Sequence, residues 1–145
     1  MLLSVILVDD DDDIRTIAEM SLTLVGGFTV MAASCGRTAI DLALRETPDV
    51  IVLDVMMPGM DGLNTLRQIR LHPQLAAVPV IFMTAKVQAR DLAQYVRAGA
   101  IGVITKPFDA MNLPREVQHL LDDAACRPEP IESSVGPRVP PMSPD

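Results

Sequence analysis

Five short apolar segments, each followed by a segment with helical spacing, restrict the fold of this chain more than any other feature. The apolar segments are rich in Val and Ile, and three are apolar at nearly every position. Such runs are typical of strands in a parallel sheet that is covered on both faces. We therefore predict five buried strands, at residues 4–8, 28–33, 50–54, 80–83 and 101–105.

Apolar residues recur at helical spacing after each predicted strand. The first stripe stops at Gly26-Gly27 and comprises Ile14, Ile17, Ala18, Ser21, Leu24 and Val25. The fourth stripe comprises Ala89, Leu92, Tyr95 and Val96, and the others lie within residues 39–44, 63–69 and 113–124. A strand–helix order repeated five times predicts an α/β domain with a parallel sheet and right-handed crossovers.

The composition changes near residue 125 and divides the chain into two parts. With 145 residues, of which 49% are apolar, the chain can form one domain with a packed core. We assign this domain to residues 1–125. Residues 126–145 contain six of the twelve prolines and little that could pack, so we predict a Pro-rich, disordered tail there.

The charge and the aromatic content argue against several function classes. The net charge of −7 disfavours binding to nucleic acid or to an anionic membrane, because both favour a basic face. The chain has no Trp, so a base-stacking platform is not expected. No signal peptide is recognisable, and no apolar run approaches the roughly 20 residues that span a bilayer. The sequence thus predicts a reduced, cytoplasmic protein.

Polar residues follow four of the five predicted strands. Five aspartates, residues 9–13, follow the first strand, and Asp54 ends the third. Thr84 follows the fourth strand and Lys106 the fifth. In parallel α/β sheets the functional crevice lies at the carboxyl ends of the strands. Each residue alone could be an ordinary turn or cap residue, but their joint placement indicates one shallow site.

The residue types at this site favour phosphoryl chemistry. Clustered carboxylates repel one another unless a cation lies between them, and oxygen ligands of this kind suit Mg²⁺. With Mg²⁺ and Lys106 present, Asp54 stays ionised and can act as a nucleophile. The charge of an attacked phosphoryl group is then met by Mg²⁺, Lys106 and the Thr84 hydroxyl. We therefore predict an acyl phosphate on Asp54.

These residues belong to longer motifs. They are Ile6-Leu7-Val8-Asp9-Asp10, Leu53-Asp54-Val55-Met56-Met57-Pro58-Gly59-Met60-Asp61-Gly62, Met83-Thr84-Ala85, Ala98-Gly99-Ala100 and Lys106-Pro107-Phe108. With them, residues 3–124 resemble the receiver (response-regulator) domains of bacterial two-component signalling. The resemblance implies a flavodoxin-like fold, with five parallel strands in the order 2-1-3-4-5 and helices on both faces.

The resemblance also implies a role for each site residue. Asp54 is the expected phospho-acceptor, Thr84 the hydroxyl that follows the phosphoryl group, and Lys106 the cation that pairs with Asp54 or with the phosphoryl oxygens. The bond between Lys106 and Pro107 is expected to be cis.

A magnesium site is implied in the same way. Asp10 is expected to bind Mg²⁺ directly and Asp9 through water. Asp54 and the backbone carbonyl of Met56 complete the expected protein ligands. The remaining aspartates, residues 11–13, are interpreted as a solvated start of the first helix, where negative charge is favoured.

One position departs from the family pattern. Receiver domains often carry Tyr or Phe three residues before the lysine, and this chain has Val103 there. Valine is short and stiff at χ1, so it cannot make the same swing. The readout of phosphorylation is therefore expected to be weaker or to use backbone and loop shifts. Tyr95 is interpreted as a packing residue.

The function implied is a phosphorylation-controlled signalling module. A histidine kinase or a histidine phosphotransfer protein supplies the phosphoryl group, and the chain catalyses only its own modification. It would act as a monomer or as a phosphorylation-dependent dimer. One alternative is a receiver-like adaptor that is never phosphorylated. Another is a magnesium-dependent aspartyl phosphatase, which Asp9-x-Asp11 suggests, but Asp13 stands where such enzymes need Thr or Val.

Overall fold

The computed structural model describes residues 3–126 and contains one five-stranded sheet. The strands are β1 (Ser4–Val8), β2 (Thr29–Ala33), β3 (Val50–Asp54), β4 (Val80–Thr84) and β5 (Gly102–Thr105). All neighbours are parallel, in the order β2-β1-β3-β4-β5. The predicted fold class and strand order are confirmed. The predicted strand bounds are off by one residue in β2, β4 and β5.

Within residues 3–126, five α-helices alternate with the strands. They are α1 (Asp12–Met20), α2 (Gly36–Arg45), α3 (Gly62–Arg70), α4 (Ala89–Ala98) and α5 (Leu113–Cys126). A π-helical turn, Ser21–Val25, continues α1, and a short 3₁₀ turn, Pro73–Leu75, follows α3. Apart from Cys126, the residues of the predicted tail lie outside the described part of the chain.

The sheet separates two apolar cores, as expected for strands that are buried on both faces. Ile6 and Ile51 point to the face that α2, α3 and α4 cover. Val5 and Val52 point to the opposite face, which α1 and α5 cover. Because β3 is buried at all five positions, the central strands form a rigid support for the residues at their carboxyl ends.

The predicted apolar stripe of α1 is partly wrong. Leu24 and Val25 were expected to pack, but 74% of Leu24 and 47% of Val25 are exposed, whereas Leu22 is fully buried. The backbone N–H of Gly26 donates to the carbonyl of Ser21, five residues earlier, at 3.2 Å. Leu24 and Val25 lie within this wider turn and leave the regular 3.6-residue repeat, whereas Leu22 lies four residues after the buried Ala18 and keeps it. Ile17, before the turn, is also exposed.

The predicted stripe of α4 is also mostly exposed. Tyr95 is buried, but Ala89, Leu92 and Val96 are exposed. The helix lies against β5, which is the edge strand of the sheet. The sheet ends there, so α4 buries one row of side chains rather than a broad face.

The phase of the π-helical turn leads to a stability prediction. We expect Leu22→Ala to lower the free energy of unfolding by about 3 kcal/mol, because a fully buried leucine loses its contacts and leaves a cavity. Leu24→Ala, in the same turn, is the matched control and should change stability by less than about 0.5 kcal/mol. Urea unfolding followed by circular dichroism measures both. Equal losses in the two variants would contradict the observed phase.

Two further features concern the length of the helices and the cysteines of the described residues. None of the helices within residues 3–126 has the length and apolar character needed to cross a membrane. Cys35 and Cys126 are both exposed and free, so no disulfide joins them.

Candidate functional site

The carboxyl ends of β1, β3, β4 and β5 surround a shallow cavity of about 250 Å³. Every residue that the sequence predicted for the site lines it, and the lining also includes Asp11, Ile14 and Ala85. The predicted residues in the lining are Asp9, Asp10, Asp54, Met56, Thr84 and Lys106. The fold therefore brings together residues that lie up to 97 positions apart in the chain.

Three carboxylates form the acidic side of this cavity. Asp9, Asp10 and Asp54 each place a carboxylate oxygen within 4.8 Å of the others. Asp9 is fully buried and Asp54 is 3% exposed, whereas Asp10 is exposed to solvent. Hard divalent cations bind clusters of oxygen ligands, and Mg²⁺ retains several waters when it does so. The donor set and its open side therefore fit Mg²⁺.

Asp9 and Asp10 differ in how freely they can bind an ion. One carboxylate oxygen of Asp9 accepts from the backbone N–H of Asp11 at 2.9 Å, and the other accepts from Lys106 Nζ at 2.7 Å. The side chain of Asp10 has no partner among the described residues. Asp10 can thus turn its carboxylate towards a cation, while Asp9 is held in place.

Lys106 supplies the positive charge of the cavity. Its Nζ lies 2.7 Å from Asp9 Oδ2 and 3.3 Å from Asp54 Oδ1. Its backbone N–H donates to the carbonyl of Thr84, and the bond to Pro107 is cis, as predicted. Burial alone lowers the pKa of the ammonium group, but the hydrogen bonds and charges of the two aspartates outweigh it and raise that pKa. Lys106 is therefore firmly protonated at neutral pH.

Asp54 ends β3 and accepts a hydrogen bond from the backbone N–H of Met56 at 3.2 Å. Burial and then the charge of Asp9 raise the pKa of its carboxyl from 3.8 to about 6, although Lys106 and the Met56 N–H oppose this. Without a bound cation, the ionised form of Asp54 therefore lowers the stability of the fold, although the carboxyl is still ionised at neutral pH. A bound cation would lower that cost.

Thr84 ends β4 and is 1% exposed. Its Oγ1 accepts from the backbone N–H of Lys86 at 3.0 Å. The hydroxyl proton remains able to donate into the cavity, which Thr84 lines. A ligand oxygen placed there would therefore meet a donor from each of two sides, Thr84 and Lys106.

A sequence profile of the family described as the response regulator receiver domain matches residues 5–118 of this chain. The chain belongs to this family. Receiver domains are parts of two-component regulatory systems, and this chain carries one such domain. The solved structure of chemotaxis protein CheY4 of Vibrio cholerae superposes with a TM-score of 0.78 at 29% identity, covering 83% of this chain and 99% of that one.

Curated relatives of this receiver domain include longer regulators. It is 39% identical over 118 residues to transcriptional regulatory protein AfsQ1 of Streptomyces coelicolor, covering 81% of this chain and 51% of that protein. It is 35% identical over 125 residues to regulatory protein AtoC of Escherichia coli, covering 86% of this chain and 26% of that protein. The chain therefore spans about a quarter to a half of the length of these relatives.

The other aspartates of the receiver domain serve the start of α1, as expected. Asp11 caps the helix, and its Oδ1 accepts from the backbone N–H groups of Asp13 and Ile14 at 3.0 and 3.1 Å. Asp12 forms an ion pair with Arg15 on the exposed surface. Negative charge at a helix N-terminus is favourable.

Tyr95 has a polar contact that the sequence reasoning missed. Its ring packs edge-on against Phe82, with centroids 5.3 Å apart, which confirms its packing role. Its hydroxyl also donates to the carbonyl of Lys86 at 3.0 Å. The backbone of Lys86 therefore bonds to Thr84 through its N–H and to Tyr95 of α4 through its carbonyl. The sequence held a signal for this contact, because a buried tyrosine hydroxyl usually needs a hydrogen-bond partner.

Val103, which stands at the position where receiver domains often carry an aromatic residue, is partly buried against the same core as Tyr95.

The raised pKa of Asp54 predicts a stabilising substitution. The folded receiver domain holds the Asp54 proton more tightly than the unfolded chain does, so ionisation costs stability. This cost is absent below pH 4, grows between the unfolded value of 3.8 and about 6, and is complete above that. We expect Asp54→Asn to raise the free energy of unfolding by about 2 kcal/mol at pH 8 without divalent metal.

Thermal melts in chelator at pH 8 and pH 4.5 measure this effect. The gain should shrink at the lower pH, where wild-type Asp54 is protonated. A variant that is no more stable than wild type at pH 8 would show that burial of this carboxylate carries no cost.

Proposed function

We propose that this receiver domain accepts a phosphoryl group on Asp54 in a magnesium-dependent reaction. The donor is the phospho-histidine of a histidine kinase or of a histidine phosphotransfer protein. The observation that carries the proposal is the buried Asp54 carboxylate, set between Lys106 and the acidic pair Asp9 and Asp10. The change in the protein contacts of the phosphorylated form is the output.

The chemistry follows from the contacts of the cavity. An Asp54 oxygen attacks the phosphorus atom, the bond from phosphorus to the donor imidazole nitrogen breaks, and the imidazole keeps that electron pair. Mg²⁺ would be held by Asp9, Asp10, Asp54 and the Met56 carbonyl, and it supplies charge neutralisation for the phosphoryl oxygens. Lys106 and the Thr84 hydroxyl donate to the oxygens where negative charge accumulates.

The chain would catalyse only its own modification. The cavity of about 250 Å³ is shallow and offers room for a phosphoryl group and a metal ion rather than for a large substrate. All five polar residues that the resemblance implies are present, which argues against an adaptor that is never phosphorylated. The net charge of −7 disfavours contacts with nucleic acid and with anionic membranes. We propose that the chain acts in the cytoplasm, as a monomer or a phosphorylation-dependent dimer.

The test is the intact mass of the protein after incubation with Mg²⁺ and acetyl phosphate. We expect a gain of one phosphoryl group, about 80 Da, that is lost with a chelator and in Asp54→Asn. Asp13→Asn is the matched control, because Asp13 is an exposed carboxylate in the nearby acidic run, outside the cavity lining. This control should gain the same mass as wild type.

A second donor separates the remaining explanations. A purified phosphorylated histidine phosphotransfer protein replaces acetyl phosphate in the same assay. If folded protein in Mg²⁺ gains no mass with either donor, the proposal is wrong and the adaptor function takes its place. A gain that persists in Asp54→Asn would place the acceptor elsewhere.

A further inference from the structure

The basic residues of this acidic chain are concentrated in one part of it. Residues 62–108 contain six of the twelve Lys and Arg residues but one of the nineteen acidic residues, a net charge of +5 in a chain of net charge −7. The acidic residue is Asp91. Such an asymmetry produces a local positive field on a protein that otherwise repels anions.

Three of these basic residues line one groove. The groove lies between α3 and α4, has a volume of about 480 Å³, and is lined by Arg67, Arg70 and Arg97. Leu63, Leu71 and Ala98 give it an aliphatic wall, and its lining contains no carboxylate. Its three arginines belong to the last turns of the two helices, at the end of the sheet opposite the cavity that holds Asp54, and Leu63 extends the groove towards the start of α3.

The arginines of the groove are not neutralised by acidic side chains of the described residues. None of the three forms an ion pair with any carboxylate of residues 3–126. Arg70 is fixed, because its Nη1 donates to the carbonyls of Leu75 and Val78 at 3.2 and 2.8 Å. Arg67 donates to Asn64 Oδ1 of its own helix. Arginines near a helix C-terminus are also favourable because they offset the helix dipole. That effect alone would not place the arginines of two helices in one groove with an aliphatic wall.

We propose that the α3–α4 groove is a docking surface for an acidic segment of a partner protein. Carboxylates of the segment pair with Arg67 and Arg97, and an apolar side chain of the segment packs on Leu63 and Leu71. Leu71 is available for such packing because 69% of it is exposed. Bidentate carboxylate recognition suits arginine better than lysine. Complementary charge would also speed the encounter with such a partner.

The groove chemistry favours a peptide over other anions. Its lining has no aromatic side chain on which a nucleotide base could stack. The two helix C-termini carry partial negative charge, which opposes a compact phosphate dianion but affects spaced carboxylates less. Three arginines fall short of the four to eight basic residues of a typical lipid-binding cluster.

The test is a nitrogen-15 NMR titration of the full chain with a synthetic peptide of Glu-Glu-Leu repeats. We expect amide shifts confined to the groove, and none with a peptide in which Gln replaces Glu. The double variant Arg67→Gln/Arg97→Gln should bind about tenfold more weakly. The matched control, Arg37→Gln/Arg115→Gln, removes two exposed arginines of α2 and α5 and should bind like wild type.

Several outcomes would overturn the proposal. They are no shift at millimolar peptide, shifts outside α3 and α4, or equal weakening in the two double variants. A groove that responds to pyrophosphate but not to the peptide would be an anion site instead. Groove shifts caused by Glu129→Gln/Glu132→Gln without peptide would assign the groove to the chain's own C-terminal segment. Binding should be unchanged in Asp54→Asn, so this test is independent of phosphorylation.

Discussion

Lys106→Met should lower the free energy of unfolding in metal-free buffer by about 3 to 5 kcal/mol. Lys106 is the cation within 4 Å of Asp9 and Asp54, two carboxylates that are almost fully buried. Removing one partner of a buried ion pair leaves uncompensated charge, which is far more costly than losing a surface pair. Methionine keeps an unbranched stem of similar length, so the substitution tests the charge rather than the packing.

Thermal and urea unfolding with and without Mg²⁺ provide the measurement. Lys86→Met is the matched control: its side chain is exposed, and its stability should stay within about 0.5 kcal/mol of wild type. Because Mg²⁺ can replace the missing charge, it should stabilise Lys106→Met more than wild type. The rate of phosphorylation should fall by about a hundredfold or more. A Lys106→Met protein as stable as wild type would refute this account of the ion pair.

Gly62→Ala, at the first residue of α3, should strongly destabilise the protein. A Cβ atom at Gly62 would lie 2.5 Å from the carbonyl oxygen of Asp54 and 2.7 Å from the Cα of Val55. Both are backbone atoms, so no side-chain rotation can relieve the overlap. The start of α3 must move away from β3, and the hydrogen bond from Gly62 N–H to the Val55 carbonyl is lost with it.

We expect a loss of about 3 kcal/mol or more, at or above the usual range for overpacking. The displaced Asp54 should also reduce the stabilisation that Mg²⁺ provides. Asn64→Ala, on the exposed face of the same helix, serves as the control and should cost less than about 0.5 kcal/mol. Denaturant unfolding followed by circular dichroism checks both. If Gly62→Ala lowered the free energy of unfolding only slightly, the backbone between β3 and α3 would be able to move apart at little cost, against this prediction.

Much of the fold could be predicted because the strands are specified locally. Continuous apolar runs such as residues 50–53 leave little choice but a buried strand. The candidate site was predictable for the same reason, since Asp9, Asp54, Thr84 and Lys106 each stand at the end of such a run. Their meeting point follows from the parallel order of the strands rather than from any property of the residues alone.

The features that were missed depend on tertiary packing. Nothing in residues 21–25 indicates a π-helical turn, so Leu24 and Val25 were predicted to pack. Leu22 was overlooked although it lies four residues after the buried Ala18. The exposure of Leu92 and Val96 depends on where the sheet ends. The sequence linked Lys106 to Asp54, but the closer contact is with Asp9, at 2.7 Å against 3.3 Å.

The contact between Tyr95 and Lys86 gives the protein a built-in optical reporter. Tyr95 is the only tyrosine, and the chain has no tryptophan. Its phenol group is tied to the carbonyl of the residue whose N–H holds Thr84. Tyrosine emission of the unlabelled protein therefore comes from a single ring beside the loop that joins β4 to α4. A change in that loop when the cavity fills can be followed in real time, with no dye and no introduced fluorophore.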